Sequence, residues 1–323
     1  MVAAGTATLA GKQKNHTVAV IGGSGFIGRE IVAQLASAGF RIKVLTRNAD
    51  RCKYLKPMGA VGQITLISGN ASDRVVLEKM LQGCHAVVNT VGILAEQGSQ
   101  RFDALQAELP QVLGEISAAA GVSRLVHLSA IGADQHSPSR YARTKGLGEA
   151  GLHKAFPDAV ILRPSLVFGQ GDGFFNRFAS MAMLAPALPL IGGGRNLVQP
   201  VFVGDVADAV LAALSRDDAK GRIYELGGPA VLSFRQVMAY IIKEIRRPRA
   251  LLPIPFAAMG LAARLMQFLP AAPITPDQLK LLRVDNVVGA DAAGLADLGI
   301  TPTSMELVVP KYLARYRPDR QRN

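Results

Sequence analysis

Cysteine and charged residues are both scarce in this chain of 323 residues. Its two cysteines, Cys52 and Cys84, exclude a disulfide scaffold and a cysteine-rich zinc site, so we expect a reducing compartment and no metal centre. Charged residues make up 19% of the chain against 49% hydrophobic residues, which excludes a disordered polypeptide and predicts a sizeable core.

Long apolar runs are also lacking. The longest uncharged stretch, residues 178–194, is interrupted by Pro186, Pro189 and three consecutive glycines, and it falls short of the roughly 18 apolar residues that a spanning helix needs. The N-terminus has no basic segment before an apolar core, and residues 1–28 contain no arginine, so we expect neither a secretory signal nor a mitochondrial transit peptide. The sequence therefore predicts a soluble or peripheral protein.

Acidic residues are outnumbered, 24 against 36 lysines and arginines. The net charge of +12 predicts an anionic partner, such as a phosphorylated ligand, nucleic acid, acidic lipid or an acidic protein surface. The tail 311–323 is locally the most basic, and it is either a solvated helix end or part of such a contact. Because no helix-turn-helix and no aromatic–basic pattern is present, we do not expect a nucleic-acid partner.

From residue 17 onward, short apolar runs alternate with helical patterns, which predicts an α/β fold with a doubly wound parallel sheet. After about residue 165 the helical patterns dominate, which indicates a smaller, mostly helical lobe. We divide the chain into an extension (1–16), a sheet domain (17–165) to which later segments return, a smaller lobe (166–310) and the basic tail (311–323). The predicted strands are Thr17–Ile21, Arg41–Thr46, Gln63–Ile67, Ala86–Thr90, Arg124–Ser129 and Ala159–Arg163. The predicted helices are Phe26–Ala38, Arg101–Ala120, Tyr141–Ala155, Asp205–Leu214, Ser233–Arg246, Phe256–Leu269, Pro276–Arg283 and Ser304–Tyr316.

A glycine-rich loop joins the first predicted strand to the first helix. It contains G-x-x-G-x-x-G at Gly22, Gly25 and Gly28, and glycine there allows a tight turn and a close approach of backbone N–H groups to a pyrophosphate. The strand before it and the helix after it make the motif specific for a Rossmann-type dinucleotide site, although a ligand-free glycine turn has the same pattern. The loop residues that we expect to contact the cofactor are Gly22, Ser24, Gly25, Phe26, Ile27 and Gly28.

The residue after the second strand selects between the two nicotinamide cofactors. An NAD site places an acid there, against the ribose 2′-hydroxyl, whereas this chain has Arg47. A guanidinium pairs well with a 2′-phosphate, so NADP(H), and specifically NADPH, is predicted over NAD(H). The nearby Asp50 argues in the opposite direction.

Three polar residues follow the fifth strand. Ser129 ends it, and Tyr141 and Lys145 lie on one face of the next predicted helix. An ammonium and a nicotinamide ribose beside the phenol would lower its pKa and allow proton exchange with a carbonyl or hydroxyl oriented by the serine. A Y-x-x-x-K pair on a surface helix is the alternative interpretation.

These residues resemble the extended short-chain dehydrogenase/reductase superfamily over nearly the whole chain. The resemblance implies cofactor contacts by Asn70, Val91, Pro164 and Ser165 as well as Tyr141 and Lys145. Two positions depart from the pattern: Ile21 stands where catalytic members usually have Thr, and Asn70 where Asp usually contacts adenine. The segments that carry it, besides the glycine loop, are Asn89–Gly92, Arg163–Ser165 and Val203–Ala207.

A narrower resemblance is to the accessory subunits of respiratory complex I that share this fold. It implies a tightly held NADPH, other complex I subunits as partners, and no established turnover, so that Ser129, Tyr141 and Lys145 would be vestigial as a catalytic set. It also implies a position on the peripheral arm near the membrane: the cytoplasmic face of a bacterial inner membrane, or the matrix side in a mitochondrion. The segments that carry it are Ser139–Lys145, Gly148–Glu149, Ala155–Ala159, Phe174–Ser180 and Gln199–Val203.

Three functions remain open. The chain is a complex I subunit stabilised by NADPH, a catalytic NADP-dependent reductase or epimerase, or a regulator that senses NADPH without turnover. The apolar helix Phe256–Leu269 bears on this choice, because it is either a core helix or a helix that meets a membrane surface or hydrophobic partner. The basic residues Lys243, Arg246, Arg247 and Arg249 before it would suit anionic lipid headgroups.

Overall fold

The computed structural model describes residues 16–266 and 275–318, with side chains described except at 264–266. Its centre is a parallel sheet of seven strands. The sheet strands are β1 (Thr17–Ile21), β2 (Arg41–Thr46), β3 (Ile64–Ser68), β4 (Ala86–Asn89), β5 (Arg124–Leu128), β6 (Val160–Pro164) and β11 (Ile223–Leu226). Their order across the sheet is β11-β6-β5-β4-β1-β2-β3, which confirms the predicted Rossmann-type fold. The remaining short strands are β7 (Val167–Phe168), β8 (Ala187–Ile191), β9 (Leu197–Val198), β10 (Val201–Phe202), β12 (Leu232–Ser233) and β13 (Ala250–Ile254), which pair as β10–β7, β12–β9 and β13–β8.

Helices cover both faces of the sheet, and the alternation along β1 shows why. Val18 and Val20 join the core on one face, while Ala19 and Ile21 join the core on the other. A parallel strand buried on both faces has the continuous apolar sequence seen here. The α-helices are α1 (Phe26–Ser37), α2 (Arg74–Leu81), α3 (Leu109–Ala119), α4 (Arg140–Ala155), α5 (Phe175–Leu184), α6 (Val203–Ser215), α7 (Phe234–Glu244), α8 (Phe256–Met266), α9 (Pro276–Leu281) and α10 (Met305–Leu313).

The order of the strands reverses between β1 and β4. Helix α1, which follows β1, packs on one face, whereas α3, which follows β4, packs on the other. The loops after these two strands therefore diverge, which opens a crevice at their carboxyl ends where ligands of such sheets bind.

A third core lies beyond the sheet and is rich in phenylalanine. Phe174 contacts the rings of Phe175, Phe178 and Phe234 with centroid separations of 4.9 to 5.6 Å. Helices α5, α7 and α10 contribute to this core. The described part of the basic tail packs against it, since Arg317 donates from Nε to the Glu244 carbonyl at 2.9 Å.

Several elements are absent from the predicted strands and helices, among them β11 and α5. Strand β11 pairs with β6 at the edge of the sheet, in register Ile223 to Ile161, so a segment after residue 165 returns to the sheet. Helix α5 covers the first part of the uncharged stretch 178–194, before Pro186, where the sequence predicted no helix.

The helix predicted over Arg101–Ala120 is interrupted. Asp103–Glu108 is π-helical and α3 begins only at Leu109. Pro110 has no N–H, so the Gln106 carbonyl lacks its usual partner four residues on. Gly148 of α4 approaches that carbonyl so closely that a Cβ there would overlap it. A π-bulge of this kind often marks a functional site.

The described part of the apolar helix is partly buried and partly exposed. In α8, Ala257 and Ala258 are exposed, Leu261 is 64% exposed, and Ala263 is buried. Residues 267–269 of the predicted helix lie outside the described residues. Within the described part of the chain, no helix has the length and hydropathy to span a bilayer.

Candidate cofactor site

The glycine loop has the geometry that a pyrophosphate requires. Gly22 has a φ of +83°, and a Cβ on it would lie 2.8 Å from the Thr90 hydroxyl. A Cβ on Gly28 would overlap the Gly22 carbonyl oxygen, so the first turn of α1 packs directly on the loop. Gly25 is exposed and forms the N-terminal cap of α1. The N–H groups in the first turn of a helix lack intrahelical partners, which suits this end of α1 to an anion.

The other predicted loop residues surround this turn. The Ser24 hydroxyl lies 3.4 Å from the Thr46 hydroxyl. The backbone carbonyl of Ser24 accepts a hydrogen bond from the Tyr54 hydroxyl at 2.9 Å. Phe26 is stacked by the Arg29 guanidinium at 5.6 Å, and Ile27 packs against the core of one sheet face. The loop is thus held to β2 and to the short 3₁₀ segment Asp50–Met58.

Arg47 leaves the carboxyl end of β2 as an exposed side chain. Among the described residues it makes no ion pair or side-chain hydrogen bond. Asp50 is paired instead with Lys53 at 2.7 Å, and this pair lowers the pKa of the Asp50 carboxyl. Asp50, the acidic residue that favoured NAD, is therefore paired with Lys53. Arg47 is available to a phosphate.

Ser129, Tyr141 and Lys145 occupy the carboxyl end of β5 and the start of α4. The Ser129 hydroxyl is buried and has no partner within the described chain. Lys145 is 3% exposed and its Nζ donates to the Leu128 carbonyl at 3.0 Å. A buried hydroxyl usually has a hydrogen-bond partner, so Ser129 at this edge of the sheet is a candidate to contact a polar ligand group.

The pKa values of Tyr141 and Lys145 are shifted in opposite directions. Burial raises the pKa of Tyr141 to about 12. Burial lowers the pKa of Lys145 to about 8, which Glu149 partly opposes. The expected lowering of the tyrosine pKa is therefore not found in the chain by itself, because burial of the phenol is the cause that sets its pKa.

The four further predicted contacts are placed differently from one another. Asn70 is exposed beyond β3, where its side chain accepts from the Ser72 amide at 3.1 Å. Val91 lies beside the glycine loop, while Pro164 ends β6. The Ser165 hydroxyl donates to the Asn286 carbonyl at 2.7 Å, so it joins β6 to the C-terminal part of the chain.

Sequence reasoning missed a buried histidine behind the site. His127 has its Nδ1 3.1 Å from the Asn89 amide nitrogen, and the Asn89 Oδ1 accepts from the Val91 amide. Burial holds the pKa of His127 well below its usual range, so it stays neutral and its Nδ1 accepts the amide proton. His127 thus orients the loop after β4. Only its place in β5 beside Ser129 could have signalled this.

A second missed residue is Asp277 on α9. Its carboxylate accepts from the backbone amides of Arg140 and Tyr141 at 2.8 and 2.9 Å, although it lies more than 130 positions away. The motif of α4 contains no signal for a partner at that distance.

The glycine turn, the unpaired arginine after β2 and the Ser–Tyr–Lys set lie along the carboxyl edge of one parallel sheet, as in proteins that bind nicotinamide dinucleotides. In the described part of the chain, no group of three His, Cys, Asp or Glu side chains is arranged to hold a metal ion.

The chain belongs to the NAD dependent epimerase/dehydratase family, whose model matches residues 18–227. It is homologous over its length to a named complex I subunit: it is 31% identical over 92% of its length to NADH dehydrogenase [ubiquinone] 1 alpha subcomplex subunit 9 of Mus musculus, covering 80% of that protein. The subunit of the same name in Arabidopsis thaliana is 32% identical, with 92% and 77% covered. A dTDP-glucose 4,6-dehydratase structure from Streptomyces venezuelae, solved with NAD, shares the fold with a TM-score of 0.70, 21% identity, and 94% and 98% of the two chains covered.

Proposed function

We propose that this chain is an accessory subunit of a respiratory NADH:ubiquinone oxidoreductase and that it holds NADPH as a structural cofactor. The observation that carries the proposal is the similarity to named subunits of that complex across 92% of the chain. The intact nucleotide site supports the cofactor, because it would otherwise leave a buried hydroxyl and an arginine without partners.

The residues present fit NADPH. The loop at Gly22, Gly25 and Gly28 would hold the pyrophosphate, and Arg47 the 2′-phosphate. Tyr141 and Lys145 would hold the nicotinamide ribose, with Asn70, Val91, Pro164 and Ser165 as the remaining proposed contacts. A ligand that binds only the folded state stabilises it by RT ln(1 + [L]/Kd), about 4 kcal/mol at a thousandfold excess over Kd.

A position beside the membrane is part of the same proposal. Leu252 and Leu261 expose 53% and 64% of their surface on β13 and α8, and Lys243 and Arg246 are exposed nearby in sequence. Apolar side chains with basic neighbours suit a surface of anionic lipids. Arg247 and Arg249 contribute less, because both donate to backbone carbonyls, of Tyr316 and Ala182.

Purification of the oxidoreductase from the membranes of the source organism tests the proposal. We expect the chain in constant ratio to the core subunits, with NADPH released on denaturation and identified by mass spectrometry. A chain that never comigrates with NADH:quinone activity overturns the subunit assignment, and a chain that comigrates without nucleotide overturns the cofactor assignment.

Vesicles test the membrane contact. We expect the Leu261→Asp variant to cosediment less with cardiolipin-containing vesicles, and the Leu307→Asp variant to behave like wild type. Leu307 is the matched control because it is also 64% exposed, on α10. Equal loss in both variants, or in neither, rejects α8 as the contact.

A catalytic NADP-dependent reductase is the second candidate. The buried, unpartnered Ser129 hydroxyl favours it, because this is the atom that would orient a substrate oxygen, and Lys145 donates to the carbonyl of the preceding residue, Leu128. Hydride transfer from bound NADPH to an added carbonyl compound, lost in Tyr141→Phe, would establish it. The absence of nucleotide oxidation with bound NADPH fully retained favours the structural role.

A further inference from the structure

Helix α9 contacts the two segments that flank the start of the cofactor helix α4. The Asp277 carboxylate accepts hydrogen bonds from the Ser139 hydroxyl and from the amides of Arg140 and Tyr141, all at 2.8 to 2.9 Å. Asp277 therefore acts as a helix cap supplied by a distant part of the chain. A carboxylate is favourable at a helix N-terminus, where several N–H groups lack partners.

The neighbours of Asp277 extend this contact in two directions. Lys280 donates to the Pro138 carbonyl at 2.9 Å, on the segment that leads into α4. Gln278 donates to the Leu94 carbonyl at 3.2 Å, on the segment that follows β4, while its side-chain oxygen accepts from the Thr275 amide. Consequently α9 bridges the loops after β4 and before α4.

The bridged segments also carry the proposed nicotinamide contacts. Tyr141 is the second residue of α4, and its ring meets the edge of Phe102 with centroids 6.1 Å apart. Arg140 pairs with Glu96 at 2.9 Å and Asp103 at 2.5 Å, which ties the same helix end to the segment after β4. The first turn of α4 also has local contacts: the Ser139 hydroxyl accepts from the Ala142 amide at 3.4 Å, and the Thr144 hydroxyl donates to the Arg140 carbonyl at 2.9 Å. Asp277 is the acceptor for the backbone amides of Arg140 and Tyr141.

We propose that Asp277 is a positioning residue that fixes Tyr141 against the loop after β4, so that α9 controls how long the nicotinamide nucleotide stays bound. The inference rests on the proposed NADPH site and adds a control element to it. Loss of Asp277 leaves the phosphate loop intact, so the nucleotide still enters. It loosens the ribose contacts, so the nucleotide leaves sooner.

The release rate of NADPH from the full chain tests this. Protein loaded with NADPH is mixed with excess NADP⁺, and the loss of bound nicotinamide fluorescence gives the rate. We expect about tenfold faster release from Asp277→Ala, equivalent to about 1.4 kcal/mol, and an intermediate rate from Asp277→Asn. Ser233→Ala is the matched control, because it removes the capping box of α7 away from the site, and its release rate should stay within about twofold of wild type.

A thermodynamic cycle separates positioning from general stability. Asp277→Ala should accelerate release less in a Tyr141→Phe background, because the hydroxyl that it positions is gone. Equal acceleration in both backgrounds, or equal acceleration by Ser233→Ala, overturns the proposal. If Asp277→Ala does not fold, Asp277→Asn and Lys280→Met enter the same comparison, and unchanged release in both overturns it as well.

A wild-type chain that binds no NADPH contradicts the proposed function before any variant is compared. Amide hydrogen exchange then tests the positioning role alone. We expect faster exchange at residues 140–145 in Asp277→Ala than in Ser233→Ala, and equal exchange rejects the role of Asp277.

Discussion

Glu149 and Arg163 form a bidentate ion pair, in which the guanidinium Nε lies 3.0 Å from Oε1 and an Nη lies 2.5 Å from Oε2 of the carboxylate. The pair joins the cofactor helix α4 to strand β6, and Glu225 of β11 approaches the same guanidinium at 3.5 Å. Glu149 is 5% exposed, and the carboxylate partners raise the pKa of Arg163. The helix that carries Tyr141 and Lys145 is therefore anchored to the sheet behind them.

Removing one member of this pair leaves a buried charge without a partner. We expect Arg163→Met to lower the free energy of unfolding by about 3 kcal/mol, because Glu149 then stays buried and charged. The double variant Arg163→Met/Glu149→Leu should recover most of that loss. Urea unfolding of wild type, of Arg163→Met and of the double variant measures the free energy of unfolding. A double variant that loses more of this free energy than Arg163→Met, and recovers none of it, would contradict the buried-charge explanation.

Arg47 is the residue that we propose to select the nucleotide. Losing one charge-assisted contact to the 2′-phosphate should weaken NADPH binding by about 1.5 to 3 kcal/mol, or roughly ten- to a hundredfold. Arg47→Asp should reverse the preference toward NADH, whereas Arg41→Asp, an exposed position at the other end of β2, should not. Mass spectrometry of nucleotide released from wild type and competition titrations of both variants check this. Wild type that carries mainly NAD(H) refutes it.

The sheet could be predicted from the sequence because its strands carry their own signal. Strands β1 and β2 were predicted to the residue: β1 is apolar after Thr17, as in a strand buried on both faces, and β2 ends in three buried residues, Val44 to Thr46. Strand β11 carries no such run: Ile223 is exposed and Glu225 partly exposed, and only its pairing with β6 defines it. Without an apolar run, the local sequence does not reveal this strand.

The residues of the candidate site likewise fall into those that a local motif predicts and those that it does not. The glycine loop and the Tyr141–Lys145 spacing are local, and a sequence motif contains them completely. Asp277 and His127 act across the fold, so no motif includes them. In the chain without cofactor, burial of the phenol raises the pKa of Tyr141, and burial cannot be judged from spacing.

Substitutions at two glycines of the loop should have different effects. A Cβ on Gly28 overlaps the Gly22 carbonyl, so Gly28→Ala should lower the melting temperature even without nucleotide. A Cβ on Gly25 lies 3.3 Å from the nearest protein atom, so Gly25→Val should act mainly by blocking the pyrophosphate. Thermal melts with and without NADPH distinguish them. Wild type with equal melting temperatures in both conditions would refute stabilisation by the nucleotide.

The pKa of Lys145 gives the nucleotide-free chain a defined pH dependence. The pKa is about 8 in the folded chain and 10.5 without burial, so between these values the unfolded chain binds more protons. Stability contributed by this group is therefore greatest above the unfolded value and is lost as the pH falls toward 8. We expect the free energy of unfolding of wild type to rise relative to Lys145→Met between about pH 8 and 10. A difference that stays constant across this window, measured by urea unfolding, contradicts the buried ammonium.

Variants of Tyr141 and Lys145 distinguish a structural role of NADPH from a catalytic one. Both side chains can hydrogen-bond the nicotinamide ribose, so they can retain NADPH although no substrate arrives. Tyr141→Phe removes one hydroxyl and should weaken binding by about 0.5 to 1.5 kcal/mol, and Lys145→Ala should cost more because a charge is lost. Neither change should abolish electron transfer from NADH to quinone, provided that the subunit is incorporated. The measurement compares this activity per assembled complex with NADPH occupancy in the same preparations. A Tyr141→Phe complex with full occupancy, normal assembly and collapsed activity would show that the tyrosine takes part in chemistry, and the catalytic function would replace the structural one.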